Sequence, residues 1–281
     1  MEESICIVTD SNCDLPQSVI EQYQITVVPL IVRFGAAEYE DGMLSVEEFW
    51  DKAVQARPST SQPSVGKFEE VFEHLVAQGK QVLCLTLTGK HSGTFNSAQL
   101  AAQRFGEAVV VFDTLSISLG TGLQALVAAQ AAQAGRTLRE ILATLEGLRA
   151  RVHVTILLDT LENLRRGGRA DGFIAVIDHM TRALNVKPLV NLVDGQLRLL
   201  GMVRSFQGGL RRLAEVVERL APLEHLDVMH TRIQQMAEEM ADCLAERTGF
   251  PRERVWVRET GPVLACHAGP RVLGVVAVPR P

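Results

Sequence analysis

The sequence predicts an α/β fold in two domains, with a mainly parallel sheet in the first and a mixed sheet in the second. Three observations carry this reading. In the first half, short β-branched runs alternate with stretches of helical period, the order that builds βαβ units. In the second half, Asp194-Gly195 joins two apolar runs, the chemistry of a tight antiparallel hairpin. Between them the chain changes character at Arg165-Arg166-Gly167-Gly168-Arg169, and its 281 residues exceed the usual span of one hydrophobic core. The domains are therefore set at 1–160 and 161–281.

In chain order, residues 5–9 and 25–33 read as strands, 46–55 and 65–78 as helices, and 82–87 and 108–112 as buried strands flanking a helix at 96–104. Residues 115–134 are apolar or small on most faces, as a helix buried on several sides requires, and Gly135 stops it. Thr137 and Glu140 have capping-box spacing at the start of a helix over 137–150. A strand follows at 152–158, then the hairpin 188–193 and 196–203. Helices at 208–220 and 234–248 alternate with strands at 225–230, 254–258 and 272–278.

Composition narrows the function classes. Hydrophobic residues form 47% and charged residues 22% of the chain, which supplies a core and argues against disorder. A net charge of -5 with dispersed basic residues offers no footprint for nucleic acid or an anionic membrane surface. The five cysteines never fall as CxxC, so neither a disulfide framework nor a zinc ribbon is indicated, and a cytoplasmic location is expected. The first apolar run is too short and wrongly flanked for a signal peptide, and no stretch reaches membrane-spanning length, so stable membrane insertion is not expected.

Two segments carry the most chemistry. Ser92-Gly93-Thr94 lies where a buried strand gives way to a helix, and in open α/β sheets ligands bind at that end of the strands. Unpaired N–H groups and the positive helix end favour an anion there, although Ser and Thr are also ordinary helix caps. Thr60-Ser61-Gln62-Pro63-Ser64 adds hydroxyls before a helix, with Ser64 itself a candidate cap. Hydroxyls and main-chain N–H groups hold a carboxylate without a lysine. Gly167-Gly168-Arg169 offers a guanidinium on a loop, either for anion capture or as a solvated charge. His267, in the turn-rich stretch His267-Ala268-Gly269-Pro270, is read either as structural or as a site residue.

Several enzyme signatures fail. Gly89-Lys90 lacks the earlier glycine of a phosphate loop, since Cys84 stands there, and no HExxH pair or metal-ligand spacing occurs. Gly120-Thr121-Gly122 matches a dinucleotide fingerprint in form but comes well after its strand, so close helix packing accounts for it better. Gly89-Lys90-His91-Ser92-Gly93 is one residue out of register for a nucleophile elbow. A lipid-cleaving serine hydrolase using Ser92 and His267 is the rival enzyme reading.

Taken in order, these segments resemble the DegV family of bacterial fatty-acid-binding proteins along nearly the whole chain. The resemblance runs through Thr9-Asp10-Ser11 with Asp14-Leu15-Pro16, Val28-Pro29-Leu30, Asp41-Gly42, residues 60–64, Ser92-Gly93-Thr94, Asp113, Gly167-Gly168-Arg169, Lys187-Pro188, Val203-Arg204 and His267-Ala268-Gly269-Pro270. It implies a larger N-terminal α/β/α domain, a smaller C-terminal α/β domain and one long-chain fatty acid, such as palmitate, stearate or oleate, held between them. It further implies Thr60 and Ser92 as the hydroxyls on the ligand carboxylate, with Gly93 and Thr94 beside them and His267, Arg169 and, less directly, Arg204 near the head group. The expected role is a non-enzymatic carrier, without a cofactor, that presents the acid to a fatty acid kinase for acyl-phosphate formation. A lipid-responsive regulator without a kinase partner is the other rival. His91 and Arg271 depart from the family pattern, where an apolar residue and glycine are usual. Burying about 14 methylenes at about 0.8 kcal/mol each gives about 11 kcal/mol before ordering costs, so tight binding needs no covalent bond.

Overall fold

The computed structural model describes residues 4–168, 172–175 and 186–281 and divides into two compact units. The first comprises the chain up to Ala150 together with Gly261–Val263, and the second comprises Arg151–Thr260 and Leu264–Pro281. The division falls after Ala150, upstream of the boundary read from sequence at 160. The reason is the strand β8 (His153–Leu158), which pairs with β9 (Lys187–Val193) and β13 (Val272–Pro279) of the second unit.

In the first unit β1 (Ile5–Asp10), β2 (Thr26–Val28), β6 (Gln81–Thr86) and β7 (Val109–Asp113) form a parallel sheet in the order β2-β1-β6-β7. Alternation along the strands sends Val8, Val28, Val82 and Cys84 to one face, where they pack on Phe68 and Phe72 of the helix Val65–Val76 and on Ala98 and Ala101 of Thr94–Ala102. The helix Leu119–Gln133 packs on β1 and β6 from the other side, with Leu138–Arg149 against it. As its apolar, small-residue sequence predicts, Leu119–Gln133 is buried along most of its length. Gly122 faces the carbonyl oxygen of Cys13 so closely that a β-carbon would collide with it, the close helix packing that the sequence suggests for this glycine-rich segment. The Thr137 and Glu140 capping box forms as predicted.

Three local readings are corrected. Residues 25–33 are not one strand: Pro29 separates β2 from β3 (Ile31–Phe34), which joins a small antiparallel sheet with β4 (Ala37–Glu40) and β5 (Pro58–Ser61). Proline lacks the N–H that a continuous ladder would need. The helix expected from 115 starts only at Leu119, because Leu115 and Ser118 both take positive φ, 48° and 50°, and the backbone turns before the helix begins. His267 lies on the helix Pro262–Ala268 rather than in a turn-rich loop.

The second unit holds a six-stranded mixed sheet in the order β10-β9-β8-β13-β11-β12, where β10 is Gln196–Val203, β11 Leu223–Thr231 and β12 Trp256–Glu259. The predicted hairpin is present: β9 and β10 are antiparallel, and Asp194 (φ 48°) and Gly195 (φ 75°) make the left-handed turn. One sheet face packs Leu157, Leu189, Leu226, Val228, Leu273 and Val275 against the helices Phe206–Glu218 and Gln234–Thr248. The opposite face is also largely apolar, with Val154, Ile156, Leu158, Val190, Leu192 and Val276 all buried, and it carries the buried Asp227 and Thr231. Among the described residues no helix is long and apolar enough to cross a membrane.

Candidate functional site

The carboxyl ends of β1, β6 and β7 carry two loops that the chain fixes with carboxylates. Asp10, the last residue of β1, is fully buried and accepts from the main-chain N–H of Asn12 (3.0 Å) and of Leu87 (2.7 Å), the latter just beyond β6. Burial pushes the Asp10 carboxyl up to about 7, against the pull of those two N–H groups, and the nearby Asp41 and Asp14 push the same way. Asp113, ending β7, accepts from Leu115 N–H through one oxygen (2.9 Å) and from Gly89 N–H through the other (3.1 Å). Thr88 N–H donates to Ser116 O at 2.8 Å. The loop between β6 and the helix Thr94–Ala102 is therefore tied to both neighbouring strand ends.

That loop delivers Ser92, Gly93 and Thr94. Ser92 Oγ accepts from Thr94 N–H at 3.2 Å and pairs with Thr94 Oγ1 at 2.8 Å, while Gly93 is the N-cap without a side-chain cap bond. The capping reading is thus met in part, by Ser92 from one position further out. Thr94 is buried, and Ser92 and Gly93 are half-buried at the helix entrance.

The other hydroxyl segment is brought to the same place. Thr60 lies in β5 opposite Val32, half-buried, so the first two residues of this segment belong to a strand that ends at Ser61. Ser64 caps the next helix by accepting from Lys67 N–H at 3.1 Å. Between them Gln62 reaches Gly93: a β-carbon on Gly93 would stand 2.6 Å from Nε2 and 2.8 Å from Cδ of Gln62. Residues 60–64 and 92–94, far apart in sequence, are therefore neighbours within the first unit.

In the second unit His267 and the Gly167-Gly168 pair also meet. The His267 ring lies on Gly167, where a β-carbon would stand 2.6 Å from Nδ1, and Gly168 closes the helix Glu162–Gly167 in the left-handed region. Gly269 packs similarly against Asn163. Lys187 pairs with Asp159 at 3.0 Å and donates to its carbonyl oxygen at 2.9 Å. Arg169 lies outside the described residues. Arg204 is described, next to the helix Phe206–Glu218.

Sequence reading named the hydroxyls but gave no role to Asp10, Asp113 or Gln62. The available signal was an aspartate closing each of two apolar strands, a position where a carboxylate meets unpaired loop N–H groups.

With this geometry in hand, the comparison with known proteins is direct. A sequence profile of the DegV family, described as uncharacterised proteins, matches residues 4–280. The chain belongs to the DegV family. A DegV domain-containing protein of Deinococcus radiodurans is 36% identical over 281 residues, covering 98% of this chain and 99% of its own. Among solved structures, a fatty-acid-binding DegV family protein from Thermus thermophilus superposes with a TM-score of 0.90 at 32% identity, over 99% of this chain and 100% of that one. A stearic-acid-binding protein from Eubacterium ventriosum superposes with a TM-score of 0.85 at 27% identity, over 96% and 97% of the two chains. The α/β architecture of this DegV chain is thus the one its relatives share.

Proposed function

We propose that this chain binds one long-chain fatty acid non-covalently, holds its carboxylate with Thr60 and Ser92, and presents that carboxylate to a separate fatty acid kinase in the cytoplasm. The observation that carries the reading is the meeting of residues 60–64 with residues 92–94 at the carboxyl end of the parallel sheet. Neutral hydroxyls beside a helix entrance satisfy an ionised carboxylate and leave its oxygens open to a phosphoryl donor. The fatty-acid-binding relatives from Thermus thermophilus and Eubacterium ventriosum support the ligand class. Gly93 and Thr94 complete the head-group site in this reading, and His267 and Arg169 are retained as further head-group residues with no metal or cofactor.

Native mass spectrometry of the purified protein, followed by solvent extraction, is expected to release a long-chain acid in about 1:1 ratio. Thr60→Ala and Ser92→Ala are each expected to weaken palmitate binding roughly 10- to 100-fold, the cost of one hydrogen bond to a charged group. Unchanged affinity in both variants removes the site. Acyl-phosphate formation with a cognate kinase tests the second half of the proposal, and His267→Ala should slow that step. Ester turnover abolished by Ser92→Ala would instead establish the hydrolase reading, which the pairing of Ser92 with Thr94 does not favour.

A further inference from the structure

Gly93 is the one position of the Ser-Gly-Thr turn where the chain could have placed a side chain and did not, and the space is filled from another element. The primary amide of Gln62 lies across it, with Nε2, Cδ and Oε1 respectively 2.6, 2.8 and 3.0 Å from where a β-carbon would stand. Three consecutive amide atoms at similar distance mean that the amide occupies the space a Gly93 side chain would fill. The approach has a local cause. Gln62 follows the end of β5 and precedes Pro63, which is buried and restricts Gln62 to extended backbone, so the side chain leaves the strand in a fixed direction. Gln62 is solvent-exposed, and its amide makes no hydrogen bond with the described residues.

A donor-bearing amide laid beside Ser92 and Thr94, and not committed to any other described residue, has the chemistry of a ligand contact. We infer that Gln62 is a specificity-determining residue: its Nε2 donates to the second oxygen of the ligand carboxylate, and Gly93 lacks a side chain to admit it. This deepens the fatty-acid reading given above and rests on it. An uncharged amide suits the task because it recognises an acid without adding a cation that would lock the carboxylate in an ion pair. It also predicts discrimination by head group, since a fatty alcohol offers no second oxygen to receive the bond.

The test uses the full-length protein stripped of lipid, with palmitate and 1-hexadecanol as probes. Gln62→Glu is expected to weaken palmitate by about tenfold or more at about pH 8, where the introduced carboxylate repels the ligand's. Hexadecanol affinity should be unchanged. Gln62→Ala should weaken palmitate by several-fold, and Gly93→Ala, which displaces the amide, should match it. Wild-type palmitate affinity in Gln62→Glu at about pH 8, or an equal loss for acid and alcohol, overturns the inference. The two readings fail separately: loss in Thr60→Ala and Ser92→Ala with none in Gln62→Glu rejects only the amide's role, whereas the reverse pattern rejects the hydroxyl site itself.

Discussion

At the scale of single residues, the least expected group is Asp10. A carboxyl raised from its ordinary 3.8 to about 7 means that the folded chain binds more protons than the unfolded chain between those two values. The contribution of Asp10 to stability is therefore complete below about pH 4, falls as pH rises through about 7, and is level above it. Asp41, raised to about 6 mainly by burial, adds in the same direction. Urea denaturation at about pH 5 and about pH 8 should show greater stability at the lower value, and Asp10→Asn should flatten the difference, with one oxygen kept as acceptor. An Asp10→Asn protein with the unaltered pH profile would remove Asp10 as the cause. The glycines differ in legibility. Gly195 and Gly135 follow turn and cap rules visible in sequence, and both have positive φ. Gly93, Gly122 and Gly167 are needed because something from a distant part of the chain lies on them, and no local pattern announces that. Gly122→Ala is expected to cost about 1–3 kcal/mol in the same denaturation experiment, since the obstacle is a main-chain carbonyl that cannot rotate away.

Among the elements, those set by local rules were readable and those set by long-range pairing were not. The capping box at Thr137 needs only four residues and was legible; Thr137→Ala should lower stability by about 1 kcal/mol, measured as a fall in melting temperature. The buried parallel strands β1, β6 and β7 announced themselves by unbroken apolar runs. By contrast, β5 is Pro-Ser-Thr-Ser, a composition typical of a loop, and it becomes a strand because β3 pairs with it. That pairing matters most for the site, since it fixes Thr60 and the direction in which Gln62 departs. The start of the helix Leu119–Gln133 was missed for a related reason. Residues 115–118 continue the apolar and small-residue pattern of the helix, but Ser118 N–H donates to Asn12 Oδ1 at 3.0 Å and its hydroxyl bonds Asp14, contacts from the far end of the sequence that hold the backbone in a turn.

For the whole molecule, the α/β class, the parallel first sheet and the mixed second sheet were all legible, because hydrophobic period and turn chemistry determine them. The place where the units divide was less so. Arginine and glycine at 165–169 marked a change of composition, whereas the division depends on which sheet β8 joins, and an apolar strand can join either. A fragment beginning at residue 161 lacks β8, which lies between β9 and β13 in the second sheet. It is expected to stay unfolded by circular dichroism, while a fragment beginning at residue 151 retains the complete sheet and should show cooperative melting. Equal folding of both fragments would show that β8 is dispensable to the second unit.

The close seat of Gly122 on Cys13 has a practical corollary. Cys13 and Cys84 are sealed inside the first unit as free thiols, with burial pushing the Cys13 thiol up to about 12 and Cys84 upward as well, so neither supplies a reactive thiolate while the fold is intact. Alkylating reagents must wait for the interior to open. The rate at which these two sulfurs are trapped, read by mass spectrometry with and without added palmitate, is thus a native clock for the breathing of the unit that carries Thr60 and Ser92, and lipid should slow it.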